Sequence, residues 1–262
     1  VTAATEIAKL ARLLGDQPER FAYLADLPVS DLRVLREKAT DVLFDANRAV
    51  FERIAAASKL VPTGVTAAVA QKAFGPLLCA RVAGVLEPER AIDIAGRLPV
   101  DFLADVAAEL DPRRAAGVLA ALPAGPVVAV GTELARRGDY VTMGRFIGEL
   151  PASALKATVE ALDTEAILRT AAFSEVEDRF AEIFAMIPDA KVAEVARVFA
   201  EASDELGEAV LPVLRNLDKA GLTRLAAEVR QHSPEQRAHF AAIAERVGVL
   251  DRLGPLAEAL NG

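Results

Sequence analysis

The stretch that decides the fold is residues 86–123, LEPERAIDIAGRLPVDFLADVAAELDPRRAAGVLAALP. It repeats one punctuation at Leu86-Glu87-Pro88, Leu98-Pro99, Leu110-Asp111-Pro112 and Leu122-Pro123, a beat of 12 residues. Proline is tolerated in a first helical turn, where its missing N–H has no helical partner anyway, and it blocks continuation of the helix before it. Each leucine therefore closes one short helix and each proline opens the next. Glu87 and Asp111 stand just before two of the prolines, placed for a carboxylate to cap free N–H groups at the positive end of the helix dipole. Leu86-Glu87-Pro88-Glu89-Arg90-Ala91 recurs 24 residues on as Leu110-Asp111-Pro112-Arg113-Arg114-Ala115, so the true unit is a helix pair. Ala91, Ile92, Ile94, Ala95 and Leu98 then supply the apolar spacing of one helix face. Helices of roughly 9 or 10 residues, about 14 Å long, do not stand alone in water and must stack on neighbours.

Outward from this stretch the beat loosens. Leu150-Pro151, Leu162-Asp163 and Ile187-Pro188 keep the punctuation, but the step from Leu122 to Leu150 is 28 residues. The extra residues fall near Arg136-Arg137-Gly138-Asp139, with Gly138 read as the residue just past a helix end. Later helices carry capping patterns, Ser174 with Glu177 and Ser233-Pro234 with Gln236. On the N-terminal side, Ile7, Leu10, Ala11 and Leu14 mark a helix ending near Gly15, and Pro18 to Leu27 a second. A long bracing helix is expected from Ser30 to about Ser58, with Leu32, Leu35, Ala39, Val42, Leu43, Ala46, Val50 and Ile54 on one face. The organisation read is an N-terminal helical region at 1–75, a short-helix array at 76–172 and a C-terminal helical extension or cap at 173–262.

The alternating Leu-Pro and Leu-acid-Pro beat among alanine-rich short helices, clearest from Leu86 to Leu162, resembles the cytoplasmic N domain of MgtE-type magnesium transporters. The resemblance implies an all-α, right-handed, solenoid-like superhelix of short helix pairs. In that family the domain takes part in magnesium sensing and is followed by paired CBS modules and a membrane pore. Neither companion is read in these 262 residues, so the implication is confined to the fold.

Composition supports an all-helical chain. Apolar residues make up 53% while aromatics are 5% and tryptophan is absent, so the core is built from Ala, Val and Leu, which suits closely packed helices. A net charge of −8, with arginines interspersed among acids, argues against nucleic acid as a partner. Arg113-Arg114 and Arg136-Arg137 read as a solvated helix face. One cysteine, Cys79, permits no intramolecular disulfide and suits a reducing cytoplasm, the expected location. The start at Val1-Thr2-Ala3-Ala4-Thr5 lacks a basic segment followed by an apolar run, so no secretory signal is expected there. The most apolar stretch, Val61 to Leu86, is interrupted by Pro62, Gly64, Lys72, Gly75-Pro76 and Arg81. It reads as two helices joined at Gly75-Pro76 and buried as a central hub, with no membrane-spanning segment.

Catalysis needs converging groups, and none are evident, so the chain is read as non-enzymatic and free of cofactors. His232 and His239 are expected on one helix, two turns apart and about 10 Å from each other, too far to share an ion. Asp101, Asp105 and Glu109 line one helix face and are the weak metal candidates. The candidate ligand site is Lys72, Phe74, Leu77, Leu78, Cys79 and Arg81, two cations flanking an apolar hinge; an apolar tail could lie between the helices with its head on a cation, whereas snorkelling explains the same cations by solvation. Cys79 reads as an inert thiol. The functional expectation is a binding or regulatory scaffold for another protein. The alternative is a carrier or sensor of an amphiphilic apolar small molecule held at the Gly75-Pro76 hinge.

Overall fold

The computed structural model describes residues 2–174, 176 and 179–261. Among these residues the fold is all-helical, with 18 α-helices and no strand. The N-terminal region holds α1 (Ala3–Leu14), a 3₁₀ segment (Pro18–Leu24), α2 (Val29–Asp45) and α3 (Arg48–Ser58). The middle runs through α4 (Thr63–Val69), a π turn (Ala70–Phe74), α5 (Gly75–Ala83), α6 (Pro88–Ala95), α7 (Val100–Glu109), α8 (Ala116–Ala121) and α9 (Ala124–Arg136). It continues with α10 (Tyr140–Phe146), α11 (Ala152–Ala161) and α12 (Thr164–Ala172). The C-terminal part is α13 (Phe180–Met186), α14 (Asp189–Glu201), α15 (Asp204–Leu214), α16 (Lys219–Val229), α17 (Pro234–Arg246) and α18 (Pro255–Asn261).

The aliphatic-proline pairs are where helices begin. Pro28, Pro62, Pro99, Pro123, Pro151 and Pro188 occupy the N-cap positions of α2, α4, α7, α9, α11 and α14. The residue before a proline is barred from helical geometry, and Leu122 and Ile187 are accordingly extended, with ψ of 133° and 129°. Carboxylate capping is not part of the device at Glu87, whose side chain makes no cap hydrogen bond. Asp111 accepts the N–H of Arg113 at 3.2 Å. Gly138, at φ 71°, ends α9 as read from the sequence, and Ser233 with Gln236 forms a reciprocal capping box on α17. The Ser174 pattern depends on Glu177, which lies outside the described residues.

Four of the helix ends exposed by this punctuation are closed by arginines from later in the chain. Arg145 of α10 donates to the Leu110 carbonyl at 2.6 Å, and Arg179 donates to the carbonyls of Ile147, Gly148 and Leu150 at 3.0, 2.9 and 3.3 Å. Arg224 of α16 reaches Phe184 and Ile187 at 3.2 and 2.5 Å, and Arg90 of α6 reaches Ser58 and Val61 at 2.5 and 2.7 Å. The last carbonyls of a helix have no partner within it, and a guanidinium supplies several donors in a fixed fork.

Helices pack mainly on their second neighbours. One row is α3, α5, α7, α9, α11 and α13; the facing helices stack as α4, α6, α8 and as α10, α12, α14, α16, α18. Close approach within a row needs small residues. A Cβ on Gly144 would stand 2.7 Å from the Phe173 backbone, which explains glycine at that position in α10. The largest continuous core runs from Leu168 to Leu260 and contains the stacked rings of Phe199 and Phe240, 5.0 Å apart. The middle of the chain has only small separate clusters, such as Ala80, Leu110, Ala115, Leu119 and Phe146.

Four readings of the N-terminal half are corrected. The bracing helix breaks at Ala46-Asn47, which lets α2 pack on α1 while α3 packs on α5; Phe44 and Phe51 meet across the break at 5.5 Å. The buried face of α2 is Leu32, Arg36, Thr40 and Phe44, whereas Leu35, Val42 and Leu43 face solvent. The stretch 61–86 is not a buried hub, since Val61, Val65, Val69, Phe74 and Leu77 are exposed at the start of the stacked rows. The helix expected from Pro18 to Leu27 is a 3₁₀ segment over Pro18–Leu24.

Ion pairs fasten α1 and α2 to the array. Arg12 binds Asp139, the N-cap of α10, through two bonds of 2.5 and 2.6 Å. Arg114 reaches Asp41 at 2.8 Å and Asp45 at 3.3 Å while its guanidinium lies 4.0 Å from the centre of the Phe44 ring. Glu6, fully buried, accepts from Arg36 at 3.0 Å with Lys9 and Arg33 nearby.

If arginine closure of helix ends stabilises the stack, Arg224→Met strips the Ile187 carbonyl of its guanidinium partner, while the Phe184 carbonyl keeps the Ile187 N–H, and lowers stability by about 1–3 kcal/mol. Arg136→Met, on the surface, changes it by less than about 0.5 kcal/mol. Urea denaturation of the two variants against the wild-type protein measures the difference.

Candidate functional site

The hinge residues are dispersed around a surface turn. Gly75 sits at φ 72°, a left-handed value that glycine adopts without penalty, and it joins the π turn to α5. Lys72, Phe74 and Leu77 are exposed, while Leu78, Cys79 and Arg81 are partly buried. None of the six lines the cavity of the structure. The Cys79 thiol donates to the Ala70 carbonyl at 3.4 Å, and burial pushes its pKa up to about 11.

The acidic stripe on α7 is exposed and partly neutralised. Arg137 donates to the Asp105 carboxylate at 2.5 Å, to the Asp101 carbonyl at 3.0 Å and to Glu133 at 2.7 Å. Hydrogen bonds from Arg136 and Arg137 hold the Glu133 carboxyl down at about 2. Asp101, Asp105 and Glu109 do not converge, and among the described residues no group of three or more His, Cys, Asp and Glu side chains could hold a metal ion. The basic doublets are structural: Arg136 and Arg137 serve Glu133 and Asp105, and Arg113 and Arg114 serve Asp111 and α2. The histidines do not share a helix, because His232 precedes the N-cap of α17 while His239 lies within it, 3.1 Å from the Ala202 carbonyl.

Two features remain. The first is a cavity of about 290 Å³ between the helix rows. Its lining runs from Ala83, at the end of α5, to Leu217, just beyond α15, and includes Val106, Val130, Met143 and Phe146. No charged side chain borders it. Its two hydroxyls are already used within their own helices, Thr158 donating to the Ala154 carbonyl at 2.8 Å and Thr170 to the Ala166 carbonyl at 2.7 Å. Small residues facing inward, Ala91, Ala95, Ala107, Gly131 and Ala171, keep the space open. In sequence these positions read as ordinary helix core, and no motif marks them.

The second feature is an apolar outer face. Every substantially exposed large apolar side chain among the described residues lies between Leu14 and Val100. Leu60 is 88%, Tyr23 76% and Val42 69% exposed. On α2, Leu35 and Val42 are seven residues apart and share one face, opposite the stripe of Leu32, Arg36, Thr40 and Phe44 that packs inward. No helix among the described residues is long and apolar enough to cross a membrane.

Comparison with known proteins finds no matching family model, no matching curated protein and no matching solved structure.

The thiol chemistry is testable directly. A pKa near 11 in place of 9.0 leaves roughly one hundredth of the thiolate at pH 8. Iodoacetamide therefore modifies Cys79 about a hundredfold more slowly than a free thiol of ordinary pKa, and the rate rises as pH approaches 11. Intact-mass kinetics over pH 7–10 follow the reaction.

Proposed function

We propose that this chain is a non-catalytic helical-repeat scaffold, a right-handed superhelix of short helix pairs that binds another protein in the cytoplasm. The observation that carries this reading is the confinement of exposed large apolar side chains to residues 14–100. Exposed large apolar side chains that share a helix face, as Leu35 and Val42 do on α2, are the kind of surface a protein interface covers. A helix with apolar residues on both sides is ordinarily buried on both, and α2 is covered on one side by α1. Stacking on second neighbours supports the solenoid reading, as does the resemblance of residues 86–162 to the MgtE-type N domain. Acidic charge and the pairing of the basic doublets with carboxylates speak for a protein in place of a nucleic acid.

The geometry also explains why this face is free. α1 and α2 are held to the array by Arg12 with Asp139 and by Arg114 with Asp41 and Asp45. Apolar packing is thus not what secures their outer sides, and those sides remain available.

The double variant Val42→Ser/Leu43→Ser tests the assignment. Because both side chains are exposed, stability changes by less than about 0.5 kcal/mol, while partner affinity drops by about tenfold or more. A partner captured equally by this variant and by wild-type protein sinks the reading. Sedimentation across a concentration series distinguishes a second copy of the chain from a different protein.

A further inference from the structure

We propose that the internal cavity is a binding site for one unbranched hydrocarbon chain of an amphiphile, whose polar head stays at the protein surface. This site is separate from the exposed face and from the Gly75-Pro76 hinge, and the inference stands whether or not the scaffold reading does.

Chemistry of the lining sets the ligand class. A cavity lined by aliphatic and aromatic side chains stays dry; one of about 150 Å³ already admits small apolar molecules. The cavity of about 290 Å³ here has no charged lining residue, and its Thr158 and Thr170 hydroxyls are spent on helix carbonyls. A nucleotide, sugar or peptide placed inside would lose its water hydrogen bonds without replacement. Only hydrocarbon enters without that cost, so a polar head has to remain outside.

Shape narrows the class further. One wall of the cavity follows α7, α9, α11 and α13, three interaxial steps or about 24–30 Å, and residues of α6, α8, α10, α12 and α15 form the other. Spread over that length, the volume is a tube one chain wide and does not suit a compact ring system. The space is kept open by small residues: Ala91, Ala95, Ala107, Gly131 and Ala171 line it, while Leu168, Phe180, Phe184, Val195, Val210 and Leu214 of the C-terminal core wall its far end.

The chain contains only two methionines, and this permits a test on the wild-type protein. Met143 lines the cavity and Met186 does not. Delipidated protein labelled with ¹³C at the methionine methyl groups is titrated with dodecanoic acid and, separately, with 1-dodecanol. Both probes are expected to shift the Met143 methyl saturably and to leave Met186 unmoved, with similar affinities because the chain alone is recognised. Ala107→Phe and Val130→Phe fill the cavity and weaken binding by about tenfold or more without lowering the melting temperature. Val42→Ser/Leu43→Ser, on the outer face, binds as wild type. No shift at Met143, binding of dodecanoic acid but not dodecanol, or loss of binding in the outer-face variant would each overturn the proposal.

Discussion

The structure depends on one kind of junction, an aliphatic residue and a proline between two helices, which at Val61-Pro62, Leu110-Asp111-Pro112, Leu150-Pro151 and Ile187-Pro188 is closed from outside by an arginine. Proline bars the preceding residue from helical geometry and itself caps the next helix, so each junction leaves terminal carbonyls with no partner inside their own helix. Left unpaired in a packed stack, such groups cost about 1–3 kcal/mol each. Arg90, Arg145, Arg179 and Arg224 each reach back to a junction 29 to 37 residues earlier and satisfy those carbonyls. These bonds tie non-adjacent helices together, which makes stacking on second neighbours directional as well as apolar.

A second consequence follows for the N-terminal helices. They are fixed by charge pairs at defined points, Arg12 on Asp139 and Arg114 on Asp41 and Asp45, and by Glu6 buried among Lys9, Arg33 and Arg36. Breaking the buried Glu6–Arg36 pair from one side costs several kcal/mol, which ties α1 to α2, while the half-exposed pairs of Arg12 and Arg114 set where the two helices sit on the array. In the middle of the array small residues leave the cavity. The C-terminal helices bury Leu, Val and Phe in one larger cluster, part of which walls the cavity.

How far the sequence could be read follows from which interactions are local. Helix starts at Pro99, Pro123, Pro151 and Pro188, the end of α9 at Gly138 and the capping box at Ser233 were all legible, because each is decided within a few residues. Burial was not. The apolar stripe of Leu35, Val42 and Leu43 looked like an inward face, yet the inward face carries Arg36 and Thr40, since α1 offers Glu6 there. Lys72 to Arg81 drew attention as cations in an apolar stretch, but they sit near the start of the stacked rows and line no cavity. The arginines that close the junctions gave no signal, as nothing local distinguishes them from surface arginines.

By itself, then, the sequence determined an all-helical chain, the breaks that an aliphatic-proline pair marks and the need of its short helices to stack, because proline geometry, capping and helix length act over one or two turns. Only the tertiary structure decided which faces meet, which arginine closes which helix, where the cavity lies and which apolar face is left to solvent. Those outcomes depend on residues 30 or more positions apart, as Glu6 with Arg36, Arg12 with Asp139 and Arg224 with Ile187, whose proximity no local pattern encodes.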